Sequence, residues 1–154
     1  MELVGVVGAG TMGGGIAQVL VKSGYSVILN DVAQQLLDRA TERIAKGLAR
    51  DVEKGRMTAQ EREQALARLK TTTDLAAVAG ADFIIEAVIE NFEAKAGVFR
   101  ALEAHARPEV IFASNTSSIS ISKLAAETKR PTQFIGLHFF NPVPVMKLVE
   151  VVPG

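Results

Sequence analysis

Apolar residues along the chain fall into two patterns that take turns. LVGVV (3–7), SVILN (26–30), DFIIEAV (82–88) and VIFAS (110–114) are short, continuous apolar runs, as in strands buried on both faces of a sheet. Between them the apolar positions recur at helical spacing. TMGGGIAQVLVKSG (11–24) reads as a helix closed by Gly24. From Ala33 to Gly55, the residues Leu37, Ala40, Ile44, Leu48 and Val52 return every three or four positions, which predicts a long amphipathic helix ended by glycine. Thr58 with Glu61 is a capping-box pattern that opens a further helix to about Leu69. KTTTDL (70–75) carries a short strand. Glu93 to Ala106 is helical, with Pro108 marking its end, and ISKLAAET (121–128) is a short helix. QFIGLHFF (133–140) and MKLVEVV (146–152) read as two more strands around a proline-containing turn.

Strands alternating with helices imply right-handed crossovers. The expected fold is α/β and Rossmann-type: a doubly wound, mostly parallel sheet with helices on both faces. Residues 1–154 read as one domain, with a helical hairpin inserted at about 33–70. Hydrophobic residues make up 48% and charged residues 22% of the chain, enough for a sizeable core. Lys+Arg and Asp+Glu are both 17, so no broad field attracts nucleic acid or an anionic membrane. The chain has no cysteine, which removes disulfides, thiolate catalysis and Cys-based metal sites. No apolar run is long enough to span a bilayer, and MELVGVVGAGTMG does not read as a signal peptide. A cytoplasmic protein is expected, with no nucleic-acid or membrane partner.

Gly8, Gly10 and Gly13, with Thr11 and Met12 between them, form G-x-G-x-x-G directly after a strand and at the start of a helix. Asp31 ends the next strand, roughly twenty residues on, which completes the dinucleotide-binding arrangement. Glycines let backbone approach a pyrophosphate, and the helix N-terminus offers free N–H groups. A carboxylate at position 31 accepts from ribose hydroxyls and repels a 2′-phosphate, and Val32-Ala33-Gln34-Gln35 supplies no arginine for one. NAD is therefore expected rather than NADP.

In such sheets, ligands bind at the carboxyl ends of the strands. His138, Glu90 with Asn91, and the run Asn115-Thr116-Ser117-Ser118 all follow strands. A nicotinamide enzyme that oxidises an alcohol needs a base for the hydroxyl proton, and histidine, ordinarily titrating near neutrality, suits that role. Glu150 can orient the imidazole if the turn NPVPV brings the last two strands side by side. Ser117 can donate to the substrate oxygen. Each also has a plain structural reading: a core histidine, an edge-strand charge, a helix cap. Arg39, Arg43, Lys46, Arg50 and Lys54 form a basic stripe on the long helix. It is either a solvated face or a landing strip for anionic phosphates.

GVVGAGTMGGGIAQVL, IEAVIEN, ASNTSS and GLHFFNPVPVMKLVEVV together resemble the NAD-binding domain of 3-hydroxyacyl-CoA dehydrogenases, including bacterial 3-hydroxybutyryl-CoA dehydrogenases. The resemblance runs from about Leu3 to the end. It implies NAD-dependent oxidation of the 3-hydroxyl of an acyl-CoA, or the reverse. By resemblance His138 is the base, Glu150 its partner and Ser117 the substrate-oxygen contact. Asn141 helps shape the site, Glu90 and Lys95 lie near the nicotinamide-side ribose, and Asn115 lies at the cofactor–substrate junction. The family binds CoA near the long helix, and Lys54 is the residue of the basic stripe expected to meet a CoA phosphate. The family continues into a second, all-helical domain that forms a homodimer, closes the cleft and adds a catalytic asparagine. These 154 residues lack it and are expected to bind NAD but to turn over poorly. Rival readings are another NAD enzyme, such as a hydroxy-acid or nucleotide-sugar dehydrogenase, and a non-catalytic crystallin-like or redox-sensing protein of the same fold.

Overall fold

The structure is a computed structural model that describes residues 2–140, 143–144 and 149–153. Its elements run β1 (Leu3–Val7), α1 (Thr11–Lys22), β2 (Ser26–Asn30), α2 (Gln34–Glu53), α3 (Ala59–Ala67), β3 (Leu69–Thr72), α4 (Leu75–Val78), β4 (Phe83–Glu86), α5 (Phe92–Glu103), β5 (Ile111–Ser114), α6 (Ile121–Ala125), a 3-10 turn at Pro131–Gln133, β6 (Phe134–Phe139) and β7 (Val149–Pro153). The seven strands lie in the order β3-β2-β1-β4-β5-β6-β7. All neighbours are parallel except β6 and β7.

The core explains why the strand runs are unbroken. On one face Val4, Val6 and Leu29 pack with Ile16, Ala17 and Val21 of α1 and with Leu37, Ala40, Ile44 and Leu48 of α2. On the other, Val7, Ile84, Phe112 and Phe134 pack with Phe99 and Leu102 of α5 and Leu124 of α6. Each large side chain so buried contributes about 1.5–3 kcal/mol relative to exposure. The Phe99 ring meets Phe134 edge-on at 4.6 Å and Phe112 at 5.4 Å, which locks α5 across the carboxyl half of the sheet.

The local signals act as expected in most places. The Thr58 hydroxyl accepts from the Glu61 N–H while the Glu61 carboxylate accepts from the Thr58 N–H. After α1, Tyr25 N–H returns to the Leu20 carbonyl across Gly24, a glycine-terminated helix end. Several boundaries differ from the pattern. The run 82–88 holds strand geometry only over Phe83–Glu86, because Ala87 and Val88 leave the sheet to form a cleft wall. Asn91 caps α5 by accepting from the Ala94 N–H, so that helix starts at Phe92. The short helix α4, capped by Asp74, has too few residues to show a period. Of the expected strand 146–152, residues 146–148 lie outside the described residues. Among the described residues, no helix is long and apolar enough to cross a membrane.

Candidate active site

Strand order reverses between β1 and β4, and the loops leaving these strands part there. Two clefts open at that edge. The first, of about 530 Å³, is lined by Gly8, Gly10, Thr11, Met12, Asp31 and Val32, with Leu36, Val88 and Ile89 among its apolar walls. The second, of about 340 Å³, continues past Met12 and is lined by Glu90, Asn115, Ser117, His138 and Phe140.

The glycine turn is built for close approach. Gly8 has φ +104°, and a Cβ there would stand 2.6 Å from the Ala87 carbonyl oxygen. A Cβ on Gly13 would collide with the Gly8 carbonyl, so that residue lets α1 seat against β1. Gly10 is different: nothing lies within 4 Å of the position its Cβ would take. It is also the N-cap of α1, with no side chain capping the helix and no acidic residue in the first turn. The N–H groups of that turn are left facing the cleft, which fits a pyrophosphate. Asp31 holds the turn from beside: its Oδ2 accepts from the Ala9 N–H at 2.9 Å and its Oδ1 from the Ala33 N–H at 3.1 Å.

Behind the second cleft is a buried polar network that the motifs alone do not announce. Lys95 is 1% exposed and Glu86 fully buried. The Lys95 ammonium donates to Glu86 Oε2 at 2.7 Å and to the Val88 carbonyl at 3.1 Å, and lies 3.4 Å from Glu90 Oε1. The Ser114 hydroxyl donates to Glu86 Oε1 and the Val88 N–H to Oε2. Burial pushes the Glu86 carboxyl above its usual range, against the pull of Lys95, Ser114 and Val88. Lys95 itself lines neither cleft and meets them through Glu90 and Val88. The sequence signal for the pair is a carboxylate ending an apolar strand with a lysine on the facing helix.

Glu90 gathers the serine run. It accepts from Thr116 Oγ at 2.8 Å, the Ser117 N–H at 2.9 Å, Ser117 Oγ at 3.1 Å and Ser118 Oγ at 3.3 Å. Burial raises its pKa, but the Ser117 N–H, the Thr116 hydroxyl, Lys95 and the Ser117 hydroxyl outweigh that and hold it at about 2. Asn115 Oδ1 accepts from the Phe139 N–H at 2.9 Å, which pins the end of β5 to β6 one residue from His138. His138 stacks at a tilt on Phe140, ring centroids 4.6 Å apart.

His138 and Glu150 stand opposite one another in the antiparallel ladder of β6 and β7. Directly paired residues share a sheet face, with Cβ atoms roughly 5 Å apart. Both border a shallow depression with Ser117. The geometry thus assembles Gly8, Gly10, Thr11, Met12 and Asp31 at one cleft, Glu90, Asn115, Ser117 and His138 at the next, and Glu150 beside His138. Asn141 lies outside the described residues. Lys54 lines a separate groove of about 370 Å³ between α1 and α2, with Gln18, Lys22, Arg50 and Arg56.

The family described as "3-hydroxyacyl-CoA dehydrogenase, NAD binding domain" matches residues 3–154. A probable 3-hydroxybutyryl-CoA dehydrogenase of Deinococcus radiodurans is 50% identical over 150 residues, covering 97% of this chain and 54% of the relative. A 3-hydroxyadipyl-CoA dehydrogenase of Escherichia coli is 47% identical over 154 residues, covering 100% of this chain and 32% of its own. The crystal structure of an (S)-3-hydroxybutyryl-CoA dehydrogenase from Ralstonia eutropha superposes with a TM-score of 0.96 at 44% identity, over 100% of this chain and 54% of that one. The chain spans about half the length, or less, of these relatives. With a glycine turn, an uncapped helix start and Asp31 at one cleft, the family match over residues 3–154 and relatives 47–50% identical across the chain place it in the 3-hydroxyacyl-CoA dehydrogenase family as its NAD-binding domain.

Proposed function

We propose that the protein oxidises the 3-hydroxyl of a 3-hydroxyacyl-CoA to the ketone with NAD, or runs the reverse reaction. The observation that carries this reading is the register of His138 opposite Glu150, at the rim of a cleft continuous with the glycine turn. The bound NAD supplies the hydride acceptor. The chain does the rest. The free N–H groups at the start of α1 hold the pyrophosphate, and Asp31 accepts from the adenosine ribose. Val32 and Ile89, both strongly exposed, offer apolar surface to the flat rings. His138 takes the hydroxyl proton as the alcohol is oxidised and returns it in reduction. Glu150, its neighbour across the ladder, fixes the orientation of the ring and offsets the positive charge that His138 gains. Ser117 contacts the substrate oxygen, and Asn115 keeps the β6 end in place. Lys54 and its cationic neighbours take the CoA phosphates in the groove between α1 and α2.

The test is NAD-dependent turnover of 3-hydroxybutyryl-CoA by the full-length protein, followed as NADH absorbance. His138→Gln is expected to lower kcat roughly 10²–10⁴-fold while leaving NADH affinity unchanged. Undiminished turnover in that variant removes His138 from its role, and no turnover in the unmodified protein discards the reaction.

A further inference from the structure

We infer that Glu90 is a positioning residue that withholds the hydroxyl proton of Ser117 until the cofactor is in place, so that NAD and the ketone substrate bind cooperatively; this rests on the dehydrogenase reading above. The ionised carboxylate has no proton, so every hydroxyl against it is the donor. A carboxylate offers about four lone-pair sites. Glu90 already accepts four hydrogen bonds, from Thr116 Oγ on one oxygen and from the Ser117 N–H, Ser117 Oγ and Ser118 Oγ on the other, and pairs with the Lys95 ammonium at 3.4 Å. It is full, although its side chain remains 38% exposed on the wall of the second cleft.

Ser117 has one hydroxyl proton, and it is spent on Glu90. Toward the cleft it shows lone pairs only. A ketone oxygen, itself only an acceptor, finds no donor on Ser117, whereas an alcohol brings its own proton. A dinucleotide with its pyrophosphate on the glycine turn and its adenosine ribose at Asp31 must run past Met12 into the second cleft. Its other ribose then brings two hydroxyl donors to the wall where Glu90 is exposed. Glu90 can accept them only by releasing its longest hydrogen bonds, those from Ser118 Oγ at 3.3 Å and Ser117 Oγ at 3.1 Å. The Ser117 N–H, at 2.9 Å, stays and keeps that residue in place while its hydroxyl swings to the substrate oxygen. Lys95, anchored on Glu86, keeps Glu90 from following.

Calorimetric titration of the full-length protein with acetoacetyl-CoA, with and without saturating NAD, tests this, because that pair is already oxidised and does not react. NAD is expected to tighten acetoacetyl-CoA by a factor within the roughly 5–150-fold range of such couplings. The gain given by NADH to 3-hydroxybutyryl-CoA is expected to be smaller. Ser117→Ala should abolish the NAD-dependent gain. Equal affinities in the unmodified protein, or an undiminished gain in Ser117→Ala, overturn the inference. Acetoacetyl-CoA that binds under neither condition instead overturns the dehydrogenase reading on which it rests.

Discussion

Three glycines of one turn do three different jobs, and substitution separates them. A methyl on Gly13 meets the Gly8 carbonyl, so Gly13→Ala must push α1 off β1. A methyl on Gly10 meets nothing, and its backbone at φ −72° is one that any residue adopts. Gly10→Ala is therefore expected to melt at the unmodified temperature yet bind NADH more weakly, while Gly13→Ala loses melting temperature as well. Thermal denaturation beside a fluorescence titration with NADH checks both; equal losses of stability would contradict the assignment. Gly8 and Gly13 were legible in the sequence because backbone geometry itself demands glycine there, and Gly10 because it falls at a fixed offset between them where backbone must approach a ligand. His138 and Glu150 were legible as a pair only through the turn between their strands. The partner of Ser117 was not, because whether its hydroxyl faces Glu90 or the cleft is a matter of side-chain rotation that no spacing records.

Among elements, the junction of β4 with α5 carries the largest electrostatic stake. Lys95 reaches from α5 into the sheet edge to a carboxylate with no access to water. Lys95→Met leaves Glu86 buried without its counter-charge, and such breaks cost about 3–5 kcal/mol. Urea unfolding should show that loss, and Glu86→Gln/Lys95→Met should recover most of it; a double variant no more stable than the single one would contradict the pairing. Helix and strand identities were readable here because α2 repeats apolar positions over 20 residues and the central strands are largely apolar. Their ends were less so. Ala87 and Val88 continue the apolar pattern of β4 but serve the cleft, and four-residue α4 is shorter than any period that would reveal it.

At the scale of the whole molecule, sheet order sets which residues meet at the clefts. Placing β4 beside β1 opens the crevice, and placing antiparallel β7 beside β6 sets Glu150 opposite His138. The alternation of elements made the parallel part predictable; the last hairpin depended on a turn whose geometry composition does not fix. The α1–α2 groove lies apart from both clefts, and Lys54→Glu tests its role. In the full-length protein that change should raise the KM for a CoA thioester roughly tenfold, about 1.4 kcal/mol, and leave a pantetheine thioester unaffected. Equal KM values for the CoA thioester would remove the groove from the account. The most direct measurement is a crystal structure of the full-length protein with NAD and acetoacetyl-CoA. The account predicts the 3-oxygen within hydrogen-bonding distance of a His138 ring nitrogen, with Glu150 on the other nitrogen and the pyrophosphate on the first turn of α1. An acyl oxygen held away from His138, or Glu150 turned from the ring, would contradict it.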